Sequence, residues 1–356
     1  MHSERRRVVT AFVRRQERVL TVRRSDRVSS YRGKWAGISG YVGSGELPDD
    51  AALREVWEET GLFTRLLCGG LPLDVDDAET DRAWRVHPFL VAASADSEPR
   101  LDWEAAESRW VLPEELAALD TVPGLSEALA RVWDPVAALP EPLRTAARAL
   151  REDHVRGAAE LAPQAWALAA QSPQHAELVA ALRPTMAPVV AAARAAGRGQ
   201  PFRPRIEQAV AAAVAVLRPA LRVVTLSRSS TILAALARTP GPLHLTVAES
   251  QPGGEGRATA ELAARAGHRV ELVLDAAAPF RVRTADLVLT GADAVTRTGD
   301  VVNKAGTYAL ALAARDARVP FYVVCDDSKL WDDDVPPPLE AHFDLTPAAL
   351  VTAILQ

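Results

Sequence analysis

The stretch GYVGSGELPDDAALREVWEETGL, residues 40–62, places Gly40, Glu46, Arg54, Glu55, Glu58, Glu59 and Gly61 at fixed intervals. Its second half predicts a helix over residues 49–60, with Asp49 or Asp50 as N-cap and Gly61 at the left-handed C-terminal position. On that helix Glu55, Glu58 and Glu59 stand at i, i+3 and i+4, so three carboxylates share one face. Like-charge pairs so placed cost about 0.2–0.5 kcal/mol each, which has a purpose only where a cation sits among them. Oxygen donors without His or Cys favour a hard ion, Mg²⁺ or Mn²⁺ in its place. Arg54, one turn before Glu58, can brace it, while Glu46 in the preceding loop can hold Arg54. Leu53, Val56 and Trp57 are left for the core. Taken alone, an E-x-x-E-E run also reads as a solvated acidic helix.

On either side of this stretch, RRVVTAFVRR, RVLTVRRS and WRVHPFLVAA read as strands from their β-branched content, and LPEELAAL and GLSEALARVW as helices. The result is a mixed α/β module. Six of the eight tryptophans lie in the first 133 residues, and DPVAALPEP at residues 134–142 carries three prolines. Both features place a boundary there.

From Pro142 to about Leu217 nearly every window is Ala/Leu/Arg/Glu-rich at helical spacing, broken near AAGRGQPFRP. Beyond it LRVVTLS, LHLTVAES, RVELVLD, DLVLTGAD and PFYVVCDD alternate with alanine-rich helical runs, which implies a Rossmann-like parallel sheet. Its ligand site is expected at the carboxyl ends of the strands. Ser227, Arg228, Ser229, Ser230 and Thr231 lie between the first strand and a helix, a plausible phosphate cradle; a capped helix with an exposed arginine is the plainer reading. Glu249 and Arg257, Asp293, and Asn303 with Lys304 at the start of a further helix stand at equivalent strand ends and can converge on one crevice.

Residues 40–62 fit G-x5-E-x7-R-E-U-x-E-E-x-G-U without a mismatch and resemble the Nudix box. The resemblance extends over roughly residues 5–135, GKWAGISG included. It implies an α/β/α Nudix sandwich and Mg²⁺-dependent hydrolysis of a nucleoside diphosphate derivative, a nucleotide sugar or an ADP-ribose-like compound. On this resemblance Glu58 and Glu59 are metal ligands, Glu55 is a ligand or positions the attacking water, and Arg54 and Glu46 orient them. A further carboxylate, Glu104 or Glu107, would help; a charged edge before the strand RWVLP reads equally well. The order SRSST, AESQPGGEG, LDAA, TGADAV, VVNKAGT, FYVVCDDSK resembles the family of translation initiation factor 2B α/β/δ subunits, ribose-1,5-bisphosphate isomerase and methylthioribose-1-phosphate isomerase, over about residues 140–350. In its isomerases a cysteine and an aspartate form the acid/base pair. Asp293 matches the aspartate, Ser227 stands at the cysteine position, and Gln251 replaces a common arginine. A serine hydroxyl is a far weaker acid than a thiol, which weakens the isomerase reading. Arg156 and Gly157, Arg228, Arg257, Asn303 and Lys304 remain for a sugar phosphate or nucleotide.

The expected organisation is a Nudix domain at 1–135, a helical subdomain at 140–220 and a Rossmann-like domain at 221–356. The alternatives are a phosphosugar isomerase and a regulatory protein like the initiation factor subunits. At 356 residues, 48% apolar content and net charge -5, the chain argues against a generic nucleic-acid binder. No apolar run reaches membrane-span length and the N-terminus lacks a signal core, so a cytoplasmic protein without a membrane partner is expected, as a homo-oligomer through its C-terminal half. Cys68 and Cys325 are too far apart for a metal or disulfide pattern. Six of the seven histidines, His87, His154, His175, His244, His268 and His342, are scattered singly, and the acidic runs at 74–81 and 331–338 read as solvated loops. Among 41 basic residues only Lys34, Lys304 and Lys329 are lysine, and Lys304 is expected to contact phosphate as a point charge.

Overall fold

The computed structural model describes residues 5–77, 82–94, 97–153 and 156–356. His154, Val155 and part of the acidic run at 74–81 lie outside the described residues. Two compact units divide the chain, Met1–Pro140 and Glu141–Gln356.

The first unit comprises β1 (Arg6–Arg15), β2 (Arg18–Arg24), β3 (Trp35–Ala36), β4 (Ile38–Tyr41), α1 (Pro48–Thr60), β5 (Thr64–Gly69), β6 (Leu73–Asp77), β7 (Arg82–Ala93), β8 (Ala105–Val111) and α2 (Leu125–Val132). The strands form one mixed sheet in which β1 runs parallel to β7 and antiparallel to β2 and β4. Strand alternation gives the sheet two apolar faces. Val9, Ala11 and Val13 of β1 pack with Ala51, Ala52 and Val56 of α1, while Phe12 packs with Leu125, Leu129 and Val132 of α2. The run LPEELAAL forms a 3-10 turn at Pro113–Ala118 instead of an α-helix, because only Leu116 in it is buried. In α1 the first helical residue is Pro48 and the N-cap is Leu47, with no side-chain cap. Proline at this position has no N–H to satisfy and a preset φ, so Asp49 and Asp50 fall inside the first turn, where the helix dipole favours them. Gly61 ends the helix at φ 65°.

The second unit begins with α3 (Glu141–Glu152), α4 (Ala158–Ala170), α5 (Ala176–Ala180), α6 (Ala187–Gly197) and α7 (Ile206–Val216). It continues with β9 (Arg222–Thr225), α8 (Ser230–Arg238), β10 (His244–Ala248), α9 (Glu255–Arg265), β11 (Arg269–Val273), α10 (Ala278–Val282), β12 (Leu287–Thr290), β13 (Ala294–Val295), β14 (Val301–Lys304), α11 (Thr307–Ala317), β15 (Phe321–Val324), β16 (Phe343–Thr346) and β17 (Ala353–Leu355). A parallel six-stranded sheet has the order β11-β10-β9-β12-β15-β17. Neighbouring residues on one strand face opposite layers: Val223, Leu287 and Leu289 meet α7, α8 and α9, whereas Val224 and Val288 meet α10 and α11. Both faces are covered, as a parallel sheet requires. Strands β13, β14 and β16 form a small antiparallel sheet. Asn303 and Lys304 therefore belong to a strand paired with Asp344 and Phe343, and the helix starts only at Thr307, after Gly306 turns the chain at φ 106°. No helix of the described residues is long and apolar enough to cross a membrane.

Candidate functional site

In the first unit Arg54 is the hub. Its Nε and Nη2 donate to the two oxygens of Glu46 at 2.8 and 3.0 Å, Nη1 donates to Glu55 and Glu58 at 2.7 and 3.1 Å, and Nη2 also reaches the Tyr41 carbonyl at 3.2 Å. That accounts for all five N–H groups of a guanidinium. The Arg54 hydrogen bonds and the Gly43 N–H hold Glu46 down at about 2. A Cβ on Gly40 would lie 1.9 Å from the Glu55 carboxyl carbon, so glycine there leaves the Glu55 carboxylate its place. Glu59, only 7% exposed, accepts from the Ser39 N–H at 3.2 Å. Burial first, then the neighbouring charges of Glu104, Glu55 and Asp102, push its pKa up to about 8.

The 100–104 segment is tied to the end of α1, with the Arg100 and Asp102 N–H groups donating to the Thr60 and Glu59 carbonyls. This brings Glu104 back to the carboxylate cluster, where burial and then Asp102 raise its pKa. Glu107 points elsewhere and pairs with Arg23 and Arg109. Asp102, which sequence reading missed, joins the cluster through a backbone register visible only in the fold. Beside the cluster a cleft of about 610 Å³ is lined by Arg24, Arg27, Tyr31, Trp84, Trp103 and Glu104 among others. Among the described residues, no three His, Cys, Asp or Glu side chains stand in metal-holding geometry; Glu55 and Glu58 are held by Arg54.

In the second unit the chain order across the sheet reverses between β9 and β12, and a crevice opens outside their carboxyl ends, where such folds bind ligands. It is lined by Arg156, Gly157, Ser227, Arg228, Ser229, Ser230, Asp293, Asn303 and Lys304 of the expected residues, and also by Glu160, Arg183, Glu255, Lys329 and His342. Five cationic and three carboxylate side chains among these give it a character that suits an anion. Ser227 sits at φ 62°, its N–H donating to Ser250 Oγ at 2.6 Å and its carbonyl accepting from Thr259 Oγ1 at 2.8 Å. Ser229 Oγ caps α8 by accepting from the Ile232 N–H. A Cβ at Gly291 would stand 3.0 Å from Ser229, and one at Gly157 3.3 Å from the Arg228 carbonyl, so both glycines permit close approach of the crevice walls. Asp293 has its pKa raised by burial, against the opposing charges of Lys329 and Arg183.

Glu249 and Arg257 are not brought to this crevice; they pair with each other at 2.5 Å, with Arg257 well exposed. Lys304 is 6% exposed, and its Nζ is engaged by Glu255 at 2.7 Å. Lys34 forms a surface pair with Asp120. The missed residues Arg183 and Glu160 lie in the helical segment, where periodicity reports burial and not which polar group faces a distant strand end.

These two sites define a chain of two modules, a carboxylate-bearing loop and helix on a mixed sheet, and an anion-suited crevice on a doubly wound sheet. Residues 4–132 match the model of the NUDIX domain and residues 200–335 that of the initiation factor 2 subunit family. The chain thus joins a NUDIX domain to an initiation factor 2 subunit family domain. Ribose 1,5-bisphosphate isomerase of Archaeoglobus fulgidus is 38% identical over 87 residues, 24% of this chain and 28% of that protein. A putative translation initiation factor eIF-2B subunit 2-like protein of Pyrococcus horikoshii is 38% identical over 111 residues, 30% of this chain and 40% of that protein. Methylthioribose-1-phosphate isomerase of Dechloromonas aromatica is 41% identical over 91 residues, 25% of each. The chain therefore spans between about a quarter and two fifths of the length of these curated relatives. Among solved structures, translation initiation factor eIF-2B of Pyrococcus horikoshii shares the fold at TM-score 0.55 and 23% identity, covering 61% of this chain and 95% of that one.

Proposed function

We propose that the first unit is a Nudix pyrophosphohydrolase acting on a nucleoside diphosphate derivative, a nucleotide sugar or an ADP-ribose-like compound. The observation that carries this reading is the Arg54 clamp on Glu46, Glu55 and Glu58, set on the loop and helix of the NUDIX match. The layering of α1 and α2 on opposite faces of the sheet supports an α/β/α Nudix sandwich. The donor set fits a hard divalent cation such as Mg²⁺: all its atoms are carboxylate oxygens, and crowding at Glu59 by Glu55, Asp102 and Glu104 is a repulsion that a cation would discharge. Glu55, Glu58 and Glu59 are the residues that would hold it, with Glu104 beside them. When bound, such an ion neutralises pyrophosphate charge and makes water a better nucleophile. Arg54 and Glu46 fix where the Glu55 and Glu58 carboxylates point, and Gly40 keeps the space for Glu55. The aromatic and arginine-lined cleft suits a base and its phosphates.

The second unit, on this reading a helical subdomain at 140–220 and a sheet domain at 221–356, takes a sugar phosphate or nucleotide, and self-association through it is expected. A phosphosugar isomerase is the second reading, favoured by Asp293 in the crevice. Hydrolysis of nucleotide sugars and ADP-ribose with Mg²⁺, assayed in wild type, Glu58→Gln and Glu59→Gln, tests the first reading. Loss in both variants is expected; activity surviving both would sink it.

A further inference from the structure

The cleft beside the carboxylate cluster of the first unit has an apolar floor. Val8 of β1 stands in register with Val86 of β7, and Val75 of β6 with Trp84 of β7, and these side chains line the cleft. Asp77, two residues beyond Val75 on β6, projects to the same face of the sheet. Residues 27–31, in the loop between β2 and β3, line the cleft as well. That loop is braced from within, Arg24 Nε donating to the Ser30 carbonyl at 3.1 Å and Arg32 Nε to the Val28 carbonyl at 2.8 Å. Ser25 ties its foot to the segment that carries Glu104, its Oγ donating to the Trp103 carbonyl and its N–H to the Glu104 carbonyl.

The tip of the loop crosses the cleft. The Tyr31 hydroxyl donates to the Asp77 carboxylate at 2.5 Å, and Asp77 is 8% exposed. Strands β2 and β6 flank the β1–β7 pair on opposite sides, so the loop and this bond together span three strand spacings, about 14 Å. Tyr31 makes the reach from a left-handed backbone, φ 55°, a conformation that strains a bulky residue and persists only where its surroundings hold it. A strained residue bonded from one side of a cleft to the other encloses what the cleft holds. The two ends of that enclosure differ in chemistry: Glu55, against Gly40 of β4, marks the end next to the carboxylate cluster, and Asp77 on β6 marks the apolar one.

We infer that residues 27–31 form a strap over the apolar end of this cleft, latched by Tyr31 to Asp77, and that Tyr31 and Asp77 are positioning residues for the base of the substrate, laid flat between strap and floor. The inference rests on the Nudix reading of the first unit. Hydrolysis of ADP-ribose, ADP-glucose and UDP-glucose by the full chain with Mg²⁺ tests it. Tyr31→Phe should raise KM about tenfold, the scale of a lost hydrogen bond to a charged group, with kcat held within about twofold because Arg54 and its carboxylates are untouched. Asp77→Asn, which keeps an acceptor oxygen, should raise KM less than Asp77→Ala. Independently of turnover, trypsin should cut after Arg27 or Arg32 about tenfold faster in Tyr31→Phe than in wild type, because the latch must open before the loop can enter a protease. Should Tyr31→Phe fail to fold, the two Asp77 variants carry the same measurements. An unchanged KM, a loss that falls on kcat instead, or an unchanged rate of cutting would overturn the inference with the Nudix reading intact. No hydrolysis of any of these substrates by wild type would overturn both.

Discussion

Arg54 commits five N–H groups to four partners, so charge alone cannot replace it. A lysine keeps the charge and loses the fork that spans both Glu46 oxygens. Arg54→Lys is therefore expected to lower kcat about 100-fold, the scale of a small misplacement at a reacting centre, with the fold retained by circular dichroism; an unchanged kcat would show that the clamp is dispensable. In the second unit Asp293 supplies a different test. Burial raises its folded-state pKa, so the native state binds this proton more tightly than the unfolded chain does. Its contribution to stability is then present at pH below the ordinary aspartate range and declines as pH rises through the raised value. Asp293→Asn should remove this decline, melting higher than wild type at neutral pH with the difference narrowing toward pH 4. Parallel melting curves across that range would contradict the assignment.

At the scale of elements, α1 separates two uses of glycine. Gly61 has open space around its Cβ direction but sits at φ 65°, whereas Gly40 would drive a Cβ into the Glu55 carboxyl. Gly61→Ala is expected to cost about 1 kcal/mol of stability through the left-handed backbone with hydrolysis retained, and Gly40→Ala to abolish hydrolysis with a smaller shift in melting. Melting curves and initial rates on the two variants separate these outcomes. The box helix was legible because its chemistry is local: Glu46, Arg54, Glu55 and Glu58 lie within one loop and turn. The main parallel strands were legible from β-branched runs, and so was the crevice at their ends. Less was visible where pairing is long-range. Strands β13, β14 and β16 are short and pair across up to about forty residues, so Asn303 and Lys304 read as a helix start. Glu255 and Lys329 reach the crevice that Asp293 lines from separate crossovers, and spacing within any one motif carries no sign of them.

For the whole molecule, each compact unit carries core clusters of its own. Two in the first unit draw on residues between Val9 and Trp133, and two in the second on residues between Ile206 and Leu355. Clusters within each unit give it a source of cooperativity of its own, so the full chain is expected to unfold in two calorimetric transitions. A cavity at Leu20, fully buried in the first unit, should lower one of them: Leu20→Ala costs about 2–5 kcal/mol. Val288→Ala, in the sheet of the second unit, should lower the other. Ligands then label the same transitions from the opposite direction. Mg²⁺ at a hundred times its dissociation constant stabilises whichever unit binds it by about 2.7 kcal/mol, and it should raise the transition that Leu20→Ala lowers; ribose 1,5-bisphosphate should raise the other. A single transition moved by all four perturbations would mean that the two domains fold as one cooperative body, and a Mg²⁺ shift confined to the Val288→Ala transition would move the metal out of the Nudix helix altogether.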